Sequence, residues 1–395
     1  MFLVYGFETQ QSTTLSLLGT IDVYVSYSYE RIISSAGEFS LLLPYSKDVY
    51  ELVSRSHNTD KFIQLGQDFL GVVEKVTIKT QVETKRIQIK GRHASHILSK
   101  YNIETSTAYG LPTEVIDAHF DVDLSTRIAQ AQGVFSSEGV YHLPTFITFD
   151  LTKYQAYMYQ TRLYMEANPI KGHSWFEYLQ SGCDQNNLGF DMVMTSDGKL
   201  EIVLLFPLTK NNIIFHSQLQ DFNGSEYTIN SQSLYTLCRV NVNNVNYTDP
   251  SSPTGSSITS VSATARQSGM TSSENVGAVL KAYIMDVDGS GLNLSSISAC
   301  EKYALGLAKS FLTKHKLVNV YATDIDLLQA SYKLGEDYNL GDTVVIIDNN
   351  AGINLKAQVT SYVHSASSDG KVKIKPTFGY DQVTLSRLLT RNQII

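Results

Sequence analysis

Tryptophan occurs once in 395 residues, cysteine three times and proline eight times. The cysteines, Cys183, Cys238 and Cys300, stand far apart with no CxxC pair. No disulfide framework is written here, which fits folding in a reducing cytoplasm. No apolar run approaches the ~20 residues that a membrane helix needs. The N-terminus, MFLVYGFETQQSTTLSLLGT, lacks a basic n-region, so the expectation is a soluble protein without a standard export signal. HExxH, GxSxG, a phosphate-binding glycine loop and a GxGxxG after a strand are all missing. Lys and Arg are scattered and the net charge is -7. That excludes a basic nucleic-acid footprint. Stable nucleic-acid binding is not expected, although an acidic balance does not forbid DNA from passing nearby.

What is present is β grammar. Hydrophobic residues make up 43% of the chain, enough for a sizeable core, and the length implies two to four subdomains. From Ile21, IDVYVSYSYERI alternates apolar and polar residues, the period of a half-buried strand. SSAGE is a turn, and FSLLLP is the returning strand, ended by Pro44. Its nearly continuous apolar run predicts cover on both sides. Ser46 is placed to cap a short helix over KDVYELV. FLGVVEKVTI and KRIQIKGR form a hairpin turning near Val82–Thr84, and residues 343–376 read as three strands with a turn at Asp369-Gly370. These two regions can be laid over each other from LGQD and LGDT; internal duplication and convergent hairpin patterning both remain open.

Between them, SWFEYLQ reads as a helix from Ser174, followed by two strands around Ser196-Asp197-Gly198. SISACEKYALGLAKSFLTKHK is a longer helix, with Ser298 and Glu301 spaced as a capping box and Tyr303, Leu307, Phe311 and Leu312 on one face. Residues 248–273 are about half Ser or Thr, which predicts a mobile loop or an interface arm.

Chemistry-bearing patterns are sparse. Cys183 in QSGCDQNN would need His173 or His216 beside it to act as a nucleophile; a small residue in a loop fits the pattern better. Asp286, Asp288 and Ser290, with Gly291, match the first half of a calcium loop, but Ile297 stands where the closing acid belongs. His93 and His96 lie three apart, too few for a metal site by themselves. No catalytic residue and no cofactor is assigned, apart from the calcium candidates. The 24 tyrosines suit wet β surfaces and subunit contacts.

In this order, IDVYVSYSYERIISSAGEFSLLLP, FLGVVEKVTI…IQIKGRHASHIL, LGFDMVMTSDGKLEIVLL, GSEYTINSQSLYTLCRVNV and YNLGDTVVII…GKVKIKPTFG resemble the siphophage tail baseplate-hub proteins, also called tail-associated lysin N-terminal domains. The resemblance implies an α+β, mainly β fold similar to hubs of contractile phage tails. Two hub-type β-barrel domains and two smaller α/β subdomains would assemble as a ring of three. The implied division is 1–100 as the first barrel, 101–212 as an α+β subdomain, 213–245 with 325–380 as the second barrel, 246–324 as an insert and 381–395 as a tail. The implied role is a structural virion protein that closes the distal end of the tail tube and opens for DNA ejection during host entry. Its implied partners are two further copies, the distal tail ring, the tail tube or tape measure, and receptor-binding proteins. It would be made in the host cytoplasm and reside at the tail tip. Longer members of the family carry hydrolase or fibre modules after this region. Here residues 381–395 hold no such module, so an enzyme is not expected. The competing readings are a cell-wall hydrolase and a carbohydrate-binding receptor protein. For a conduit, the ring lining is expected not to be basic.

Overall fold

The computed structural model describes residues 1–9, 12–54, 59–80, 84–102, 124, 128, 143–154, 174–186, 188–217, 225–230, 234–248, 257–267, 281–289, 297–315, 318–323, 331–349 and 351–379. The fold is mainly β. Strands β1 (Phe2–Gly6), β2 (Ser16–Ile21), β3 (Ser26–Ile32) and β4 (Glu38–Pro44) open the chain. Ile21 therefore ends one strand, and the alternation expected from it resumes at Ser26. In β4, Phe39, Leu41 and Leu43 are buried, while Ser40 and Leu42 are only partly covered. The apolar run is thus one-sided, contrary to the expected double cover, because pleating sends Leu42 to the outer face. Ser46 caps α1 (Lys47–Val53) through a 3.4 Å bond from Val49 N–H to its Oγ.

Strands β5 (Lys61–Leu65), β6 (Phe69–Thr80) and β7 (Lys85–His93) follow, then a 3-10 helix over Ala94–Lys100. The β6–β7 hairpin is as expected, with its turn residues 81–83 outside the described set. Phe39 requires glycine beside it. A Cβ on Gly71 would come within 2.5 Å of the Phe39 ring, and one on Gly91 within 1.9 Å of the Val72 carbonyl oxygen.

Next come β8 (Ile147–Phe149), α2 (Trp175–Asn186), β9 (Gly189–Met194) and β10 (Leu200–Leu205). The three strands form a separate sheet in the order β8-β10-β9. Ser174 and Glu177 cap α2 reciprocally: Glu177 N–H donates to Ser174 Oγ at 3.2 Å, and Ser174 N–H to Glu177 Oε2 at 2.9 Å. The helix lays Trp175, Leu179 and Cys183 against Phe190, Ile202, Ile97 and Phe62, tying this sheet to β5 and the 3-10 helix.

The remaining elements are β11 (Thr209–His216), β12 (Ser225–Asn230), β13 (Leu237–Thr248), β14 (Ser257–Arg266), β15 (Ala282–Asp288), α3 (Ile297–Lys314), β16 (Val318–Thr323), β17 (Thr343–Asp348), β18 (Ile353–Ser367) and β19 (Val372–Gly379). β14, β13 and β15 form a third sheet, and α3 covers it with Tyr303, Ala304, Leu307 and Leu312 over Val240 and Val242. Within the Ser/Thr-rich stretch, Ser257–Arg266 is a strand and not a loop, while residues 249–256 and 268–273 lie outside the described residues. Val261, Ala263 and Ala265 alternate inward among hydroxyl residues, which the strand accommodates. Helix α3 begins at Ile297, so Ser298 lies inside its first turn and not at the N-cap. The division drawn from sequence places residues up to 245 in a second barrel; β13 pairs instead with β14 and β15, while β16 joins the main sheet.

The main sheet runs β12-β16-β19-β18-β3-β4-β7-β6-β5-β1-β2, with β17 and β11 branching from β18. It contains the same strand order twice. The series β3-β4-β7-β6-β5-β1 is repeated as β12-β16-β19-β18-β17-β11, antiparallel throughout except that β11 meets β17 in parallel. The irregularities coincide as well. The β6–β7 ladder slips between Val73 and Lys75, and the β18–β19 ladder slips between Val359 and Ser361. One cross-strand row, Val73–Gly91–Phe39–Tyr29, is matched by Val359–Phe378–Tyr321–Tyr227. The overlay of LGQD on LGDT fails in its first step, because Gly66 precedes β6 whereas Gly341 precedes β17, the counterpart of β5.

Candidate functional site

The two copies of the sheet meet where β18 pairs with β3, and charge is buried beside that seam. Tyr29 and Arg31 share one face of β3. Arg31, 8% exposed, donates from Nη2 to Asp191 Oδ2 on β9 at 2.6 Å. Asp191 Oδ1 accepts from Met192 N–H at 2.7 Å and lies 3.1 Å from His93 Nε2. His93 Nδ1 faces Ser95, whose N–H donates to it at 3.3 Å. That fixes the neutral ring with its proton on Nε2, aimed at Asp191. Nearby, Asp68 accepts from Tyr29 OH at 2.7 Å and from Tyr362 OH. Five segments, β3, the turn before β6, β7, β9 and β18, are thereby locked together.

The electrostatics follow from burial. Burial pushes the His93 ring below its usual value, and its hydrogen bond to Asp191 only partly offsets this. Burial alone would raise the Asp191 carboxyl; the Arg31 charge and the His93 contact hold it well below the usual carboxylate range. Burial and the Asp68 charge push both Tyr29 and Tyr362 far up, so they remain donors.

Ser95, His93 and Asp191 are spaced like a hydrolase triad, with Ser95 Oγ 3.0 Å from His93 Nδ1. Ser95 is 1% exposed and its backbone caps the 3-10 helix on His93. A nucleophile must reach a substrate carbonyl, and this hydroxyl faces packed protein. The cluster is built to join elements.

The residues singled out by sequence are dispersed. Cys183 lies in the α2 core with Sγ 3.5 Å from the Gly189 carbonyl oxygen, and burial pushes its thiol far up, away from the thiolate form. His173 lies outside the described residues, and His216 ends β11. His93 and His96 part company: the first faces Asp191, the second Glu74 at 3.7 Å. Asp286 and Asp288 sit on strand β15, not in a loop, and accept from Asn241 and Asn244 side chains at 2.9 and 3.1 Å. Ser290 is outside the described residues, and among those described no cluster of His, Cys, Asp and Glu could hold a metal ion. Among them, too, no helix is long and apolar enough to cross a membrane.

Sequence reasoning passed over Arg31, Asp68, Asp191 and Tyr362. A signal existed for two of them. Arg31 falls in phase with Tyr29 in an alternating strand, and Asp191 interrupts the apolar run GFDMVM. A charge at a core phase of a strand calls for a buried partner.

The outer face of the main sheet is the second feature of note. Lys75 lies opposite Lys90, Lys79 opposite Arg86, and Arg92 opposite Glu38. Lys373 and Lys375 continue this face across β19, and Glu30 joins it opposite Val363. Glu74 at the bulge pairs with Arg92 at 3.0 Å. Locally the face is basic, although the chain is acidic overall.

No protein-family model matches the chain, and no curated protein matches it. Solved structures do. The 43 kDa tail protein of prophage MuSo2 from Shewanella oneidensis superposes with a TM-score of 0.52 at 12% identity, covering 95% of this chain and 97% of that one. A tail protein from Neisseria meningitidis MC58 gives 0.52 at 9% identity, with 98% of each chain covered. A prophage tail protein from Listeria monocytogenes EGD-e gives 0.51 at 10% identity, covering 100% of this chain and 98% of the other. Over nearly its whole length, the chain has the fold of these phage and prophage tail proteins.

Proposed function

We propose that this chain is a structural virion protein: a homotrimeric baseplate hub at the distal end of a phage tail. The observation that carries the reading is the repeated strand order, with its matched bulges at Glu74 and Thr360. Two alike sheets per chain and three chains per ring give six similar units around one axis. Such a ring mates a sixfold tube to a threefold tip. The fold shared with three tail proteins supports it. Its neighbours would be the distal tail ring, the tail tube or tape measure, and receptor-binding proteins, and its place the tail tip of a virion built in the bacterial cytoplasm. It would close the tube at rest and open for DNA during host entry. Its role in this reading is structural; the two candidate nucleophiles among the described residues, Cys183 and Ser95, are 0% and 1% exposed, which supports it. Negative-stain images of the purified protein should show threefold rings with six lobes; a cell-wall zymogram with a clearing band would favour the hydrolase reading instead.

In the proposed ring the polar strip of the main sheet, with Lys75, Lys79, Arg86, Lys90, Lys373 and Lys375, would turn to the axis. Such a lining would be net basic, against the non-basic one expected from sequence, and would weigh against free passage of phosphates. Passage then depends on screening, because phosphate contacts weaken steeply with salt. Duplex DNA should bind the ring at about 50 mM salt and release by about 200 mM. Retention at the higher salt would sink the conduit role.

A further inference from the structure

Resting on the trimeric reading, we infer which strands join the chains: β12 of one copy pairs antiparallel with residues 75–80 of β6 in the next. Within the chain, β18 leaves β17 at Gln358 and takes β3 along the same edge from Ser361 to Ser367. Its counterpart β6 leaves β5 at Val72, and beyond that point no described strand lies on that edge. The counterpart of β3 is β12, which is hydrogen-bonded to β16 on one side and to no described strand on the other. The molecule therefore makes the contact once internally and presents both halves of it a second time.

The register follows from the matched rows. Internally, His364 lies opposite Tyr29 and Val363 opposite Glu30. Carrying β18 onto β6 by the two bulges, and β3 onto β12 by the Tyr29 and Tyr227 rows, sets Ile78 against Tyr227, Thr77 against Thr228, Lys79 against Glu226 and Val76 against Ile229. These pairs agree in chemistry. Val76 and Ile78 share the core-facing side of β6, opposite Ile89 and Ile87. They would meet Ile229 and Tyr227, and Ile229 is 60% exposed in the single chain while Ile78 is 39% exposed. On the other side Lys79 would meet Glu226, a favourable cross-strand pair. An open edge with exposed isoleucines is otherwise a hazard that folded proteins avoid. A head-to-tail contact of this kind closes into a ring when its rotation fits.

Cysteine pairs test the register. Consecutive antiparallel pairs alternate between wide and narrow spacing, so one of two neighbouring pairs suits a disulfide. Thr77→Cys/Thr228→Cys and Ile78→Cys/Tyr227→Cys are oxidised mildly, beside the four single variants. Native Cys183, Cys238 and Cys300 are all buried and stay silent. The expected result is covalent dimers and trimers on non-reducing gels for at least one double variant and none for the singles. Lys79→Glu should weaken assembly several-fold, and Lys79→Glu/Glu226→Lys should restore it. A trimeric mass with no cross-link from either pair overturns the strand pairing and leaves the trimer standing. A monomeric mass at every concentration, unchanged when the adjoining tail proteins are added, overturns both.

Discussion

At the scale of single residues, the buried cluster beside β3 governs stability. Removing one member of a buried ion pair leaves an uncompensated charge and costs about 3–5 kcal/mol. Arg31→Met and Asp191→Leu should each destabilise by about that much, and the double variant by clearly less than their sum, measured by urea denaturation. Additive losses would mean that the 2.6 Å contact is not the source. The cluster also sets a pH dependence. His93 is held below its ordinary value by burial, so the unfolded chain binds a proton that the folded one refuses. Stability is then full above about 6.5 and falls as the pH drops below that value. His96 and His364 are lowered by burial as well and add in the same direction. The melting temperature should fall between pH 7.5 and 5.5, and His93→Gln should flatten part of that slope. An unchanged slope would remove His93 from the account.

At the scale of elements, the sequence was legible where the pleat or the helix period is strict. Ser46 before α1, the turn at Asp369-Gly370 and the apolar face of α3 all read directly. It misled where composition stood in for position. FSLLLP looks buried throughout, yet Leu41 is 0% exposed and Leu42 is partly covered. Leu41→Ala should cost about 2–5 kcal/mol and Leu42→Ala appreciably less. Equal losses would show that both faces of β4 are packed. Ser and Thr between 257 and 266 suggested a loop because their hydroxyls favour water, but Val261 and Ala265 supply the inward period. Arg31, Asp68 and Asp191 were illegible as a group. They lie on separate elements, and no local pattern states that β3 and β9 meet.

At the scale of the whole molecule, the repeat of six strands is a property of pairing and hardly of sequence. Val73 and Val359 agree, but Gly91 answers to Phe378 and Phe39 to Tyr321. Sheets conserve register and side-chain phase while exchanging the residues themselves. That is why an overlay of motifs slipped by a strand while the architecture it hinted at is present. The repeat leaves two edges that a second copy would satisfy, and this makes the oligomeric state the central claim. The measurement is the solution mass by light scattering over a wide range of concentrations. The account predicts a concentration-independent mass of about three times the 43.9 kDa chain. A mass of one chain at every concentration, unchanged when the adjoining tail proteins are added, would contradict it.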